Sequence, residues 1–229
     1  MSTKTKKKKK RNLKQVSRSI NDDEENKRKP KKRKVSKDEA KIAIQKLVDT
    51  FAPNAVVCWA DGCSLGNPGS SGSGCSVSFV AGGDECKRTK VNLAANRTLG
   101  HSTNNIAELD AIAMALEVLS EYEASSASCT LRGRPIEIIS DSMYAANMLV
   151  NGYNASKNVE QIEAIKKAID ERKRTNTLRI HWVQGHSGVP ENEFVDQIAN
   201  LAAKASSALS KKTDCGETLP TRKHYIVQP

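Results

Sequence analysis

Four acidic residues stand where an enzyme could use them: Asp61, Glu108, Asp141 and Asp196. Asp61 closes an apolar run, Ala55–Ala60, that reads as a buried strand. Asp141 follows a second core run, Ile136–Ile139. Glu108 falls in the opening turns of a helical pattern, and Asp196 lies on a later helix behind a His-Ser-Gly loop. Sites in α/β sheets are built at strand ends. Any one of these groups alone would ordinarily be a solvated or capping carboxylate. Converged, the four repel one another and need cations between them. Such oxygen-rich sites suit Mg2+ or Mn2+.

The apolar pattern predicts the elements that must position them. Ser36 and Glu39 have capping-box spacing. Ala40, Ala43, Ile44, Leu47, Val48 and Phe51 follow at helical spacing, so residues 36–52 read as a connecting helix that Pro53 ends. Gly62–Gly74 is rich enough in Gly and Ser to read as a turn or loop. Cys75–Val80 and a segment near Cys86–Asn92 read as strands joined through Gly82–Gly83, with a further strand around Arg97–Leu99. Ser102 to about Tyr122 reads as a helix with an apolar stripe of Ile106, Leu109, Ile112, Ala113, Leu116 and Leu119. After a small-residue loop at 124–133 come the Ile136–Ile139 strand, a helix from Ser142 and a helix over Val159–Arg174. A strand at Leu178–Val183 precedes the last helix, Pro190–Ala208, which has proline in its first turn. This order predicts an α/β fold, a mixed sheet with helices on its faces.

Charge is unevenly spread along the 229 residues. Residues 1–50 carry 19 Lys/Arg against 7 Asp/Glu; of 37 and 26 in the whole chain, 18 and 19 remain for residues 51–229. The basicity belongs to an N-terminal arm, and the rest is nearly neutral. Residues 1–35 are charged and aromatic-free, a composition that predicts disorder. Within them, Lys6–Arg11 is a basic cluster and Lys27–Val35 resembles a nuclear-import signal. That motif predicts an import receptor as partner and the nucleus as location, and such clusters also serve as nucleic-acid arms. Residues 209–229 read as a loose tail. No apolar run is long enough to span a bilayer, and the Lys-rich start has no secretory h-region. The six cysteines form no C-x-x-C pair, against a structural zinc site or a disulfide scaffold. They predict reduced thiols in an intracellular protein.

Four motifs occur in a recognisable order. They are Trp59-Ala-Asp-Gly-Cys-Ser-Leu-Gly-Asn-Pro-Gly69, Thr103-Asn-Asn-Ile-Ala-Glu-Leu109, Ile139-Ser-Asp-Ser-Met-Tyr144, and His181-Trp-Val-Gln-Gly-His-Ser-Gly188 followed by Asn192-Glu-Phe-Val-Asp196. The set resembles the type 1 ribonucleases H and covers roughly residues 55–207; residues 53–208 are taken as the catalytic domain. The resemblance implies a five-stranded mixed sheet with its first three strands antiparallel. It implies an endonuclease, expected to be a monomer, that hydrolyses the RNA strand of an RNA–DNA hybrid with two divalent ions. The product ends are then 5′-phosphate and 3′-hydroxyl. Asp61, Glu108, Asp141 and Asp196 align with metal-binding carboxylates, and His186 with a mobile histidine that assists proton movement or product release. A histidine can exchange protons near neutral pH. Asn67, Asn104, Asn105 and Met143 align with substrate-facing positions. Thr103 and Asn158 align with a pocket for a DNA-strand phosphate, where His101 stands in place of a frequent Arg.

Two departures bear on affinity. Asn147–Glu160 is short and carries only Lys157 as a basic residue, so the basic, Trp-bearing protrusion of some relatives is not expected. Residues 1–50 hold no aromatic residue, so an aromatic-plus-lysine hybrid-binding module is not expected within them. The arm is the expected substitute, through counterion release. The competing readings are a related two-metal nuclease or integrase, and a catalytically silent hybrid-binding protein. Retention of all four acids and His186 disfavours the second.

Overall fold

The computed structural model describes residues 35–82, 89–125, 131–210 and the backbone of 224–228. The basic blocks at 6–11 and 27–34 lie outside these residues. The elements in chain order are α1 (Lys37–Val48), β1 (Val56–Gly66), β2 (Gly69–Ala81), β3 (Thr89–Ser102), α2 (Asn104–Ser125), β4 (Ile136–Ser140), α3 (Met143–Leu149), α4 (Val159–Lys173), β5 (Leu178–Trp182), α5 (Pro190–Ser210) and β6 (His224–Gln228). The sheet order is β5-β4-β1-β2-β3-β6. β1–β2 and β2–β3 are antiparallel, while β1–β4 and β4–β5 are parallel. The expected five-stranded mixed sheet is therefore present. A sixth strand from the segment read as a loose tail adds antiparallel to β3. No helix among the described residues is long and apolar enough to cross a membrane.

Two expectations fail for one reason. Gly62–Gly74 is a turn only at Asn67 and Pro68: β1 runs on through Gly66, and β2 starts at Gly69. Arg97–Leu99 is not a separate strand either, because β3 is continuous from Thr89 to Ser102. Small residues in this sheet mark close helix approach, not turns. A Cβ on Gly72 would lie 2.4 Å from the Ala203 backbone nitrogen of α5, and one on Gly74 2.6 Å from Ile198. Glycine there lets α5 lie directly on the sheet.

The larger core packs β1, β2 and β4 against α2 and α4, with Leu109, Ile112, Met114, Leu119, Ile136, Ile138 and Ile162 fully buried. Burial of each such aliphatic side chain contributes about 1.5–3 kcal/mol. The apolar stripe predicted for α2 is too narrow: Ala107, Ala111, Met114, Ala115 and Val118 are buried as well. The helix lies between the sheet and α4, so most of its circumference is covered. A second cluster on the other face joins Ile44 of α1 to Trp59, Ile139, Val183, Val189 and Val195.

The capping box of α1 forms, with Ser36 Oγ accepting from the Glu39 N–H at 3.1 Å and Glu39 Oε2 accepting from the Ser36 N–H at 2.9 Å. The connecting helix thus packs on the domain. It stops at Val48, before Phe51, whose ring still stacks on His181 at 5.2 Å. Beside that ring, Glu137 on β4 is 2% exposed and pairs with Arg179 at 2.8 Å and His181 at 2.7 Å. Gly72→Ala forces α5 off β2. Overpacking of this kind costs about 1–3 kcal/mol, so thermal denaturation should show a fall of about 2–4 °C per kcal/mol of stability removed.

Candidate active site

β1 pairs with β4 only as far as Ala60↔Ser140, yet continues beyond along β2. Asp61 therefore does not end its strand, as its sequence position suggests. It is the first residue of β1 past the end of β4, where the parallel pairing stops and a gap opens. Asp141 follows the last residue of β4 into the same gap. Glu108 comes down from α2, and Asp196 from the second turn of α5. These residues, with Gly62, Cys63, Ser64, Asn104, Gly185 and His186, line an open cavity of about 360 Å³.

Close backbone approach brings the acids together. A Cβ on Gly62 would lie 2.2 Å from the Glu108 nitrogen. Without one, the Gly62 N–H donates both to Asp61 Oδ1 at 2.8 Å and to Glu108 Oε2 at 3.2 Å. Gly185 gives the same room beside Asp141, whose Oδ2 would lie 2.2 Å from its Cβ. Ligand atoms of Asp61, Glu108 and Asp141 lie within 4.8 Å of one another, as do those of a second set, His186, Glu193 and Asp196. The Asp196 charge also bears on Asp61, which links the two sets.

Burial and mutual repulsion perturb these acids. Desolvation first, then the charges of Asp141 and Asp196, push Asp61 up to about 8. Glu108 rises to about 9, through burial and then the charges of Asp61 and Asp141. Burial and the Asp196 charge also raise Asp141, against the opposing help of Asn192 and His186. Carboxylates forced together and kept from water are relieved by a cation. Their oxygen donors fit a hard divalent ion, so the residues present suit a metal centre.

An RNase H family model matches residues 53–204. The chain belongs to the ribonuclease H family. Its relatives include the ribonuclease H of Dichelobacter nodosus (strain VCS1703A), 33% identical over 165 residues, with 68% of this chain and 94% of the relative covered. The ribonuclease H of Rhodopseudomonas palustris (strain HaA2) is 33% identical over 157 residues, covering 64% and 84%. Among solved structures, RNase H1 from the halophilic archaeon Halobacterium salinarum NRC-1 aligns with TM-score 0.48 and 25% identity, over 66% of this chain and 98% of that one. LC11-RNase H1, solved in complex with an RNA/DNA hybrid, aligns with TM-score 0.46 and 20% identity, over 66% and 99%. The family comprises metal-dependent endonucleases.

The remaining residues expected from the ribonuclease H motifs differ in where they sit. Asn67 and Asn104 sit at the carboxylates: Asn67 Oδ1 accepts from the Asn104 N–H at 3.2 Å, and Asn104 Nδ2 donates to Glu108 Oε1 at 3.1 Å. Asn105 and Met143 are exposed on the first turns of α2 and α3. Thr103 caps α2, its Oγ1 accepting from the Ile106 N–H at 3.4 Å. Asn158 precedes α4 in the left-handed region (φ 56°) and donates to the Tyr144 hydroxyl at 3.1 Å. Gln161 Nε2 donates to the Ile106 carbonyl at 3.3 Å, so the starts of α2 and α4 meet. His101 is exposed near the end of β3. His186 is also exposed and left-handed (φ 53°).

Two further residues, both in the Asn192–Asp196 run, lie at the site without a role implied by the resemblance. Asn192, 2% exposed, donates to Asp141 Oδ2 at 3.4 Å. Glu193 Oε1 accepts from the Gly188 N–H at 3.2 Å and stands beside His186 and Asp196. Their signal in the sequence is helical spacing: four and three residues before Asp196, they share its face of α5.

In the unfolded chain the acids titrate near 4. Their folded values are raised, so the stability these groups contribute to the metal-free protein is fully present below that pH and is lost as pH rises toward 8–9. Thermal melts in chelator should show Tm falling over this range. Asp61→Asn should flatten the fall and raise Tm at pH 8 by about 2–4 °C per kcal/mol of repulsion removed.

Proposed function

We propose that this chain hydrolyses the RNA strand of RNA–DNA hybrids with two divalent cations, Mg2+ or Mn2+, leaving 5′-phosphate and 3′-hydroxyl ends. The observation that carries the reading is the convergence of Asp61, Glu108 and Asp141 within 4.8 Å, with Asp61 and Glu108 raised to about 8 and 9. Asp61, Glu108 and Asp141 would hold one cation, and Asp61 with Asp196 the other. When bound, the ions supply charge stabilisation for phosphodiester hydrolysis and acidify water.

The chain's own residues do the rest. Asn104 and the Gly62 N–H orient Glu108, and Asn192 orients Asp141. His186, on an exposed loop at the cavity, moves protons as product leaves. Asn67, Asn104, Asn105 and Met143 face the hybrid's minor groove, where a 2′-hydroxyl, both donor and acceptor, marks the RNA strand. Thr103 and Asn158 receive a DNA-strand phosphate at the meeting of α2 and α4. Binding that leaves the hybrid intact would instead make this a silent hybrid-binding protein.

Digestion of an end-labelled hybrid with Mg2+ tests the reading. Cleavage of the RNA strand is expected, with neither double-stranded RNA nor double-stranded DNA cut. Asp61→Asn should lower the rate by about 10²-fold or more, because metal-based stabilisation is worth several kcal/mol. Cleavage unaffected by chelator or by Asp61→Asn would sink it.

The basic arm is read as the source of long-range affinity, and Lys27–Val35 as a nuclear-import signal that places the protein in the nucleus. Removing residues 1–35 should weaken hybrid binding. It should also reduce the slope of log K against log salt, by about 0.9 for each phosphate that the arm neutralises on a B-form duplex. Anisotropy titrations at several salt concentrations measure both, and an unchanged slope would exclude the arm.

A further inference from the structure

Trp182 lies outside the residues that line the acidic cavity. It is the last residue of β5, paired in register with Ser140, the residue before Asp141. Its indole N–H donates to the Asp141 carbonyl at 2.9 Å, and the residue is 45% exposed. Tryptophan is highly buried on average, and the chain's other tryptophan, Trp59, is 4% exposed. Alternation along a strand puts Trp182 on the face of Leu178 and Ile180. Those two pack into the larger core, as do Met148 and Leu149 of α3. The indole continues that row past the edge of the core, toward the α3 end of the site. Exposed Met143 stands two residues beyond Asp141. Two large exposed side chains are thus tied to the Asp141 segment, Trp182 by its hydrogen bond and Met143 by its place in the chain.

An indole fixed by its N–H, with its faces partly bare, suits contact with the sugars and base edges of a nucleic acid. The same hydrogen bond fixes the peptide of Asp141. Its carboxylate is then left to move about the side-chain torsions, which Asn192 restrains at 3.4 Å. We propose that Trp182 is a positioning residue that couples hybrid contact to the placement of Asp141: its exposed face rests against the hybrid backbone, and its N–H holds Asp141 in register. This rests on the ribonuclease H reading of the site.

With two tryptophans in the chain, emission reports on this directly. The full-length protein in chelator is titrated with a hybrid, while the anisotropy of a label on that hybrid scores binding independently. Emission should shift or quench as the hybrid saturates, and the Trp182→Phe variant should bind without that change. Trp182→Phe keeps a ring but loses the N–H. It should raise the Mg2+ concentration for half-maximal cleavage roughly two- to tenfold, the scale of one net hydrogen bond, with KM for hybrid close to the parent's. Trp182→Ala should in addition raise KM about fivefold or more. If that variant does not fold, as its thermal melt would show, the emission titration and Trp182→Phe decide. Unchanged parent emission at full anisotropy saturation overturns the proposal, and so does a Trp182→Phe protein with the parent's metal requirement. Absence of hybrid binding by anisotropy defeats the ribonuclease H reading, and the role of Trp182 falls with it.

Discussion

Glu108 and Asp61 meet because β1 carries no side chain at position 62. α2 can then approach until the Glu108 nitrogen would lie 2.2 Å from a Gly62 Cβ, and one backbone N–H serves both carboxylates. The rest of the site is arranged around that contact. β4 ends opposite Ala60 and delivers Asp141 into the gap, and Gly185 leaves room for its carboxylate. α5 brings Asp196, seated close to the sheet by Gly72 and Gly74. Each approach needs the absence of a Cβ, so the glycines fix the separations between charges.

Those separations come at a cost in stability. Carboxylates that burial and repulsion hold near 8 and 9 are a burden on the metal-free fold. Packing elsewhere offsets it: an aliphatic core around α2, a second cluster under α1, and the buried Glu137 paired with Arg179 and His181. Asp110 is a buried acid of a different kind. It accepts from Ser73 and pairs with Arg97 at 2.8 Å. A carboxylate paired with a cationic side chain in this way contributes to structure, whereas the mutually repelling ones at the end of β4 are suited to a metal cation.

Charge is divided unevenly along the chain. Residues 51–229 hold 18 basic and 19 acidic residues, while residues 1–50 hold 19 and 7. A nearly neutral domain with an acidic cavity attracts a polyanion weakly at long range. Local contacts by polar and apolar side chains around the cavity then matter more for how a nucleic acid is seated.

The four acids and His186 are legible in the sequence because their motifs are local: each short run carries its own strand end, turn or helix start. The helices are legible from apolar spacing, as are the Ser36 cap and the Val159 start. Gly62–Gly74 reads wrongly as a loop because composition alone cannot distinguish a turn from a strand under a closely packed helix. Gly72 and Gly74 serve α5, more than a hundred residues away in the chain, and Gly62 serves α2. Asn192, Glu193 and Trp182 lie inside the fourth motif, yet their roles are not legible there, since their value depends on Asp141, Asp196 and His186 arriving beside them. The sequence by itself determined which chemical groups are present and on which elements they sit. Only the tertiary structure decided their separations and raised their pKa values. Burial and repulsion depend on distance in space, and here that distance is set by backbone contacts between segments remote in the chain.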